Sequence, residues 1–102
     1  MSTVREITHM NEHDTFIKNN PSAIIFFGSL RCGHCLDITP VYGQLAANTR
    51  GVAFAHVETT RVKTENIDGL PTFVGYKNGR PLPPVLGAYK EALSRLISQV
   101  QH

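Results

Sequence analysis

The chain has 102 residues, 41% of them hydrophobic and 18% charged, with a formal net charge of +2. A chain of this size buries roughly two-thirds of its unfolded surface, enough for a single core, so one domain over residues 1–102 is expected. Its composition excludes disordered and fibrous classes, the absence of a basic cluster with interleaved aromatics gives no sign of nucleic acid as a partner, and no apolar run approaches the roughly 20 residues that span a bilayer.

In chain order, Thr3 to Ile7 reads as a short strand. Asn11 is suited to cap a helix reaching Asn19, with Phe16 and Ile17 on its buried face and Pro21 after its end. Ala23 to Phe27 is a continuous apolar run, the pattern of a strand covered on both faces. A longer helix is expected from Cys32 to Asn48, with Leu36, Val41, Leu45 and Ala46 as its apolar stripe and Pro40 inside it. Val52 to Val57 alternates as a strand, and Thr60 to Asn66 offers at most one weak helical turn. Thr72 to Tyr76 and Arg80 to Leu86 flank Asn78-Gly79, a hairpin-turn signal. Pro81, Pro83 and Pro84 cannot donate to a ladder, which makes the second of these an edge. Tyr89 to Val100 closes the chain as an amphipathic helix with Leu93, Leu96, Ile97 and Val100 on one face.

Both cysteines fall in Arg31-Cys32-Gly33-His34-Cys35, directly after a strand and at a helix start. Two sulfurs at that spacing can close a small disulfide ring and open it again without disturbing the fold, as disulfide exchange requires. Two cysteines are too few for a stapled scaffold, and in a reducing compartment such a pair is catalytic or metal-binding rather than structural. The zinc alternative would recruit His9 and His13, spaced as ligands, but both precede the cysteines, and His13 falls on the first helix. Leu36 stands where a haem-attachment motif would have histidine. No metal and no bound cofactor are therefore expected. The segment from Met1 to Ile7 lacks the apolar core of a secretory signal, which makes the cytoplasm the expected location.

Element order and motif together resemble the thioredoxin superfamily over nearly the whole chain. Cys32-Gly33-His34-Cys35 is similar to the motif of protein disulfide isomerase domains; thioredoxins proper have proline where His34 stands. Asp68-Gly69-Leu70-Pro71-Thr72-Phe73, followed by Tyr76-Lys77-Asn78-Gly79, resembles the family's Gly-Ile-Pro-Thr block and hairpin. The resemblance implies an α/β thioredoxin fold, a central mixed sheet with helices on both faces. It implies a thiol–disulfide oxidoreductase acting on protein disulfides and dithiols, a monomer, supplied with electrons by thioredoxin reductase or a glutathione-type thiol. By the same resemblance Pro71 is a cis-proline facing the cysteines, Leu70-Pro71 docks the substrate, and Gly87 flanks the groove. Arg31, in place of the family tryptophan, makes the substrate face more polar and positive.

Chemistry assigns the sulfurs. The thiolate attacks, and a free cysteine with a pKa of ~8.5 is mostly protonated at neutral pH. Cys32, at the helix N-terminus, is favoured as an anion by unpaired N–H groups and the macrodipole, with Arg31 and His34 adding positive potential. Cys32 is the expected nucleophile and Cys35, one turn in, the resolving thiol. His34 in place of proline argues for the oxidising side of a family range from about −270 to about −180 mV. Two departures weigh on this. The acid that the family buries beneath Cys35 is Phe26 here, and its lysine partner aligns with Phe54, so a buried ion pair gives way to aromatic packing. Glu58 or His34, through water, is left to take the Cys35 proton. The alternative reading is a thioredoxin-fold binding or scaffold subunit with incidental redox activity.

Overall fold

The computed structural model describes residues 3–102. Its sheet runs β1 (Val4–Ile7), β3 (Ala53–Glu58), β2 (Ser22–Gly28), β4 (Thr72–Lys77), β5 (Arg80–Pro81), with β6 (Val85–Leu86) also paired to β4. β1 and β2 lie parallel to β3, whereas β4 runs antiparallel to β2 and to both short strands. The helices are α1 (Met10–Asn19), α2 (Gly33–Asn48) and α3 (Lys90–Gln101). The mixed sheet is therefore sandwiched between α2 and α3 on one face and α1 on the other, as expected of an α/β thioredoxin fold.

β2 holds this arrangement together because every second side chain serves a different core. Ile24 and Phe26 join Cys35, Ile38, Tyr42, Phe54, Phe73 and the α3 residues Leu93, Leu96, Ile97 and Val100. Ala23, Ile25 and Phe27 join Phe16, Ala55, Val57 and Val74 beneath α1. The unbroken apolar run at 23–27 follows from this two-sided burial. Asn78 and Gly79 take φ values of 53° and 83°, the left-handed pair that a two-residue hairpin needs, so Lys77 faces Arg80 across the turn. Among the described residues, no helix is long and apolar enough to cross a membrane.

Three expectations are corrected. The first helix starts at Met10 with His9 as its cap, not Asn11. Glu12 Oε1 reaches back to the backbone N–H groups of Thr8 and His9, both at 3.0 Å, and this turns the chain into the helix two residues earlier. The buried stripe of α2 is Cys35, Ile38, Tyr42 and Ala46, and Leu36 is 51% exposed. The aromatic ring of Tyr42 and the small Cys35 set the helix rotation, which carries Leu36 outward. Thr60 to Asn66, by contrast, holds no more than the one turn expected, in which the Arg61 and Val62 N–H groups donate to the Glu58 carbonyl, both at 3.0 Å. Arg80 to Leu86 is not one strand but two of two residues each, because Pro81, Pro83 and Pro84 interrupt the ladder.

Candidate active site

The strand β2 ends at Gly28, and the turn Ser29-Leu30-Arg31 delivers Cys32 to the cap of α2. Three hydrogen bonds shape this turn. Cys32 N–H donates to the Ser29 carbonyl (3.1 Å), Arg31 N–H to Ser29 Oγ (3.0 Å), and Leu30 N–H to Glu58 Oε1 (3.0 Å). Cys32 is half-buried, and its Sγ accepts the Cys35 backbone N–H at 3.2 Å. That sulfur thus performs the duty of an N-cap, drawing on one of the helix's unpaired donors, which favours negative charge on it.

Cys35 sits one turn deeper and is 2% exposed. Burial, with the hydrogen bond to Cys32 and the negative charge of Glu58 in support, pushes its thiol up to about 11, against a smaller lowering from the Ser29 backbone. The two thiols thus occupy contrasting surroundings: one at the surface end of the helix dipole, the other in the apolar interior.

The remaining expected residues fall around this pair. Gly33 and His34 open α2 and are exposed, as is Arg31. A Cβ on Gly33 would meet nothing within 4 Å, so the chain's own packing does not demand glycine there. The Leu70–Pro71 bond is cis. Pro71 is buried, and Leu70 packs against the same core cluster as Cys32. Gly87 N–H donates to the Pro71 carbonyl at 2.8 Å, joining the proline loop to the β6 end. Gly87 has φ +104°, and a Cβ there would stand 2.5 Å from the Tyr89 ring.

Beneath the pair, Phe26 is 1% exposed and stacks on Phe73 with ring centroids 4.8 Å apart, with Tyr42 edge-on at 5.2 Å. The expected aromatic filling of this position is present. Its cross-strand partner, however, is His56, whereas Phe54 lies opposite Ile24 and touches Tyr42 instead. The sequence pattern places His56 only as a residue of the third strand and singles out neither Glu6 nor Tyr42. The Tyr42 hydroxyl donates to the Ala55 carbonyl at 2.8 Å, with the Ile24 carbonyl 3.1 Å away. The alternation of β3 was the available signal for the first of these: Phe54, His56 and Glu58 share one face.

Glu58 is a buried acid, 6% exposed. Burial acts to raise its pKa, but the Thr60 hydroxyl (2.5 Å), the Thr60 and Leu30 N–H groups and, when its ring is protonated, His56 outweigh it, leaving the carboxyl below the usual range. No cluster of three or more ligating side chains exists among the described residues.

The sequence profile of the thioredoxin family matches residues 4–100. The chain belongs to the thioredoxin family. It is 34% identical over 100 residues to thioredoxin 1 of Plasmodium falciparum, covering 94% of this chain and 96% of that protein. The solved structure of Plasmodium falciparum thioredoxin superposes with a TM-score of 0.89 over 94% of this chain and 98% of that one. The Malassezia sympodialis thioredoxin structure, 26% identical, gives a TM-score of 0.90 and covers all of this chain (100%) and 94% of that one. With this membership and the Cys32–Cys35 spacing, the protein is a thiol–disulfide oxidoreductase. Thioredoxins act on protein disulfides and are themselves reduced by thioredoxin reductase.

Proposed function

We propose that this thioredoxin exchanges disulfides with Cys32 as the attacking thiol and Cys35 as the resolving one. Gly33 keeps the approach to Cys32 open, and His34 with the helix N-terminus supports the Cys32 thiolate. The substrate strand lies along Leu70-Pro71 beside Gly87, with Arg31 at its rim, and binds through backbone hydrogen bonds that are indifferent to its sequence. Electrons come from thioredoxin reductase or a glutathione-type thiol, and the protein acts as a monomer without a bound cofactor. A reducing compartment, the cytoplasm, suits a chain whose two cysteines form one redox pair and staple nothing.

The carrying observation is the contrast between the sulfurs. Cys32 caps the helix and accepts a backbone N–H at 3.2 Å, whereas the Cys35 thiol is buried and raised to about 11. The first is held at the helix cap, within reach of a substrate disulfide; the second holds its proton until a mixed disulfide places an electrophile beside it.

A Cys35→Ser variant tests this. It should accumulate protein mixed disulfides on Cys32, seen as thiol-sensitive bands on non-reducing gels, and a Cys32→Ser variant should accumulate none. Phe26 in place of the family acid favours a second reading, a binding or scaffold subunit. That reading expects partners to be held equally by both variants and released without any thiol.

A further inference from the structure

Resolution of a mixed disulfide requires Cys35 to lose a proton in a dry setting, and Phe26 removes the acid that the family resemblance puts beneath it. The row of register partners running through Phe26 contains other chemistry. Glu6 of β1, His56 of β3, Phe26 of β2 and Phe73 of β4 lie side by side across four strands. His56 packs on Phe26, ring centroids 4.9 Å apart, and its Nδ1 is 2.6 Å from Glu6 Oε1. The His56 side chain is 18% exposed and that of Glu6 61%, so the pair links the edge of the core to solvent.

An ionised carboxylate only accepts hydrogen bonds, so Nδ1 carries the proton and donates it to Glu6. This leaves Nε2 as the acceptor on the far side of the ring. Nε2 lies 3.4 Å from the place a Cβ on Gly28 would occupy, and Gly28 is the register partner of Glu58. Glu58 is the next inward-facing residue after His56 on β3 and is hydrogen-bonded to Leu30 in the turn that leads to Cys32. The Cys35 thiol lies against the Ser29 backbone of that same turn. Glu58 is coupled electrostatically to Cys35 from α2 and to His56 from its own strand, and Glu6 faces His56 from β1.

We propose that Glu58, His56 and Glu6 form the proton outlet of the redox site, replacing the acid missing at position 26. The inference rests on the assignment of Cys32 as attacking and Cys35 as resolving thiol. In the mixed disulfide, Cys32 Sγ is bonded to the substrate sulfur. Cys35 gives its proton to Glu58, and its thiolate attacks Cys32 Sγ. The Cys32–substrate bond breaks, the Cys32–Cys35 bond forms, and the substrate sulfur leaves as a thiolate with the electron pair. The protein dithiol is thereby oxidised and the substrate disulfide reduced. Glu58 hands the proton to His56 Nε2, and the Nδ1 proton departs past Glu6 to solvent. The Glu58 carboxylate, held below its usual range, is only a way-station.

The test is stopped-flow release of thionitrobenzoate when reduced protein meets equimolar dithiobis-nitrobenzoate. The first phase reports attack by Cys32, the second resolution by Cys35. His56→Gln should slow the second phase roughly 100-fold near neutral pH. The deficit should close as the pH approaches about 11, where Cys35 ionises unaided. Glu6→Gln, on an exposed side chain, should shift the second phase in the same direction and keeps the test open if His56→Gln fails to fold. Neither variant should alter the first phase. An unchanged second phase in both variants overturns the proposal, as does an equal slowing at every pH, the mark of a structural role. A wild-type protein lacking the first phase would overturn the underlying assignment of Cys32 itself.

Discussion

The Phe26 ring occupies the space above Gly28: a Cβ on Gly28 would stand 2.7 Å from Phe26 Cε1 and 2.9 Å from Cζ. The two positions are therefore one packing unit. An aromatic ring under Cys35 is possible because its neighbour two residues on has no side chain. Gly28→Ala should cost about 1 to 3 kcal/mol, the usual range for overpacking a filled core. In a Phe26→Leu background the same change should cost much less. Urea unfolding of the four members of this cycle measures the coupling, and strictly additive effects would show that the contact carries no energy.

Phe26→Asp restores an acid at the position where the family resemblance expects one. It exchanges a stacked ring between Phe73, Tyr42 and His56 for a smaller, charged group in an apolar pocket. The variant should lose about 3 to 5 kcal/mol of stability. Its mixed disulfides should resolve faster, because a proton acceptor then lies under Cys35. Stability comes from denaturant titration and resolution from single-turnover thiol release. Lower stability with unchanged resolution would mean that the outlet already present suffices.

Much of this was readable in the sequence because it depends on local pattern. The two-sided burial of β2 is written in Ala23-Ile24-Ile25-Phe26-Phe27, and the hairpin in Asn78-Gly79. The redox pair and proline loop were legible from Cys32-Gly33-His34-Cys35 and Leu70-Pro71. Cross-strand register was not legible. That His56, rather than Phe54, faces Phe26 follows from how two parallel strands slide past each other, and no residue within either strand announces it. The Glu6–His56 pair spans 50 positions of sequence for the same reason. The exposure of Leu36 also escaped the helical pattern, because the stripe on α2 is set by Tyr42, whose hydroxyl needs strand carbonyls beneath it.

The raised Cys35 thiol makes the stability of the reduced protein fall in alkali. Its pKa moves from an ordinary 9.0 to about 11 on folding, so the unfolded chain loses this proton first. The stabilisation is complete below pH 9.0 and is lost as the pH rises through about 11. The oxidised protein has no Cys35 proton and should lack this component. Thermal melts of both redox forms across that window should show the difference in stability between them shifting against the reduced form. Parallel alkaline curves would show that Cys35 titrates alike in folded and unfolded chains. On the acid side Glu58 behaves oppositely: its lowered pKa gives stability that is present above 4.5 and is lost as the pH falls through its folded value. Glu58→Gln should remove that acid-side slope.

Gly87 joins backbone geometry to substrate docking. Its φ of +104° belongs to the region that side-chain-bearing residues avoid, and its N–H holds the Pro71 carbonyl at 2.8 Å. Gly87→Ala should cost about 1 to 3 kcal/mol from the strained φ alone. The clash with Tyr89 adds little, because that ring is 65% exposed and free to swing away. Gly87→Ala with Tyr89→Ala should therefore recover only a small part of the loss. If relaxation of the loop pulls Gly87 from Pro71, the platform for the substrate backbone shifts. KM for a protein disulfide should rise severalfold, while attack of Cys32 on a small aromatic disulfide keeps its rate. Full recovery of stability in the double variant would place the demand for glycine on the Tyr89 contact and not on the backbone.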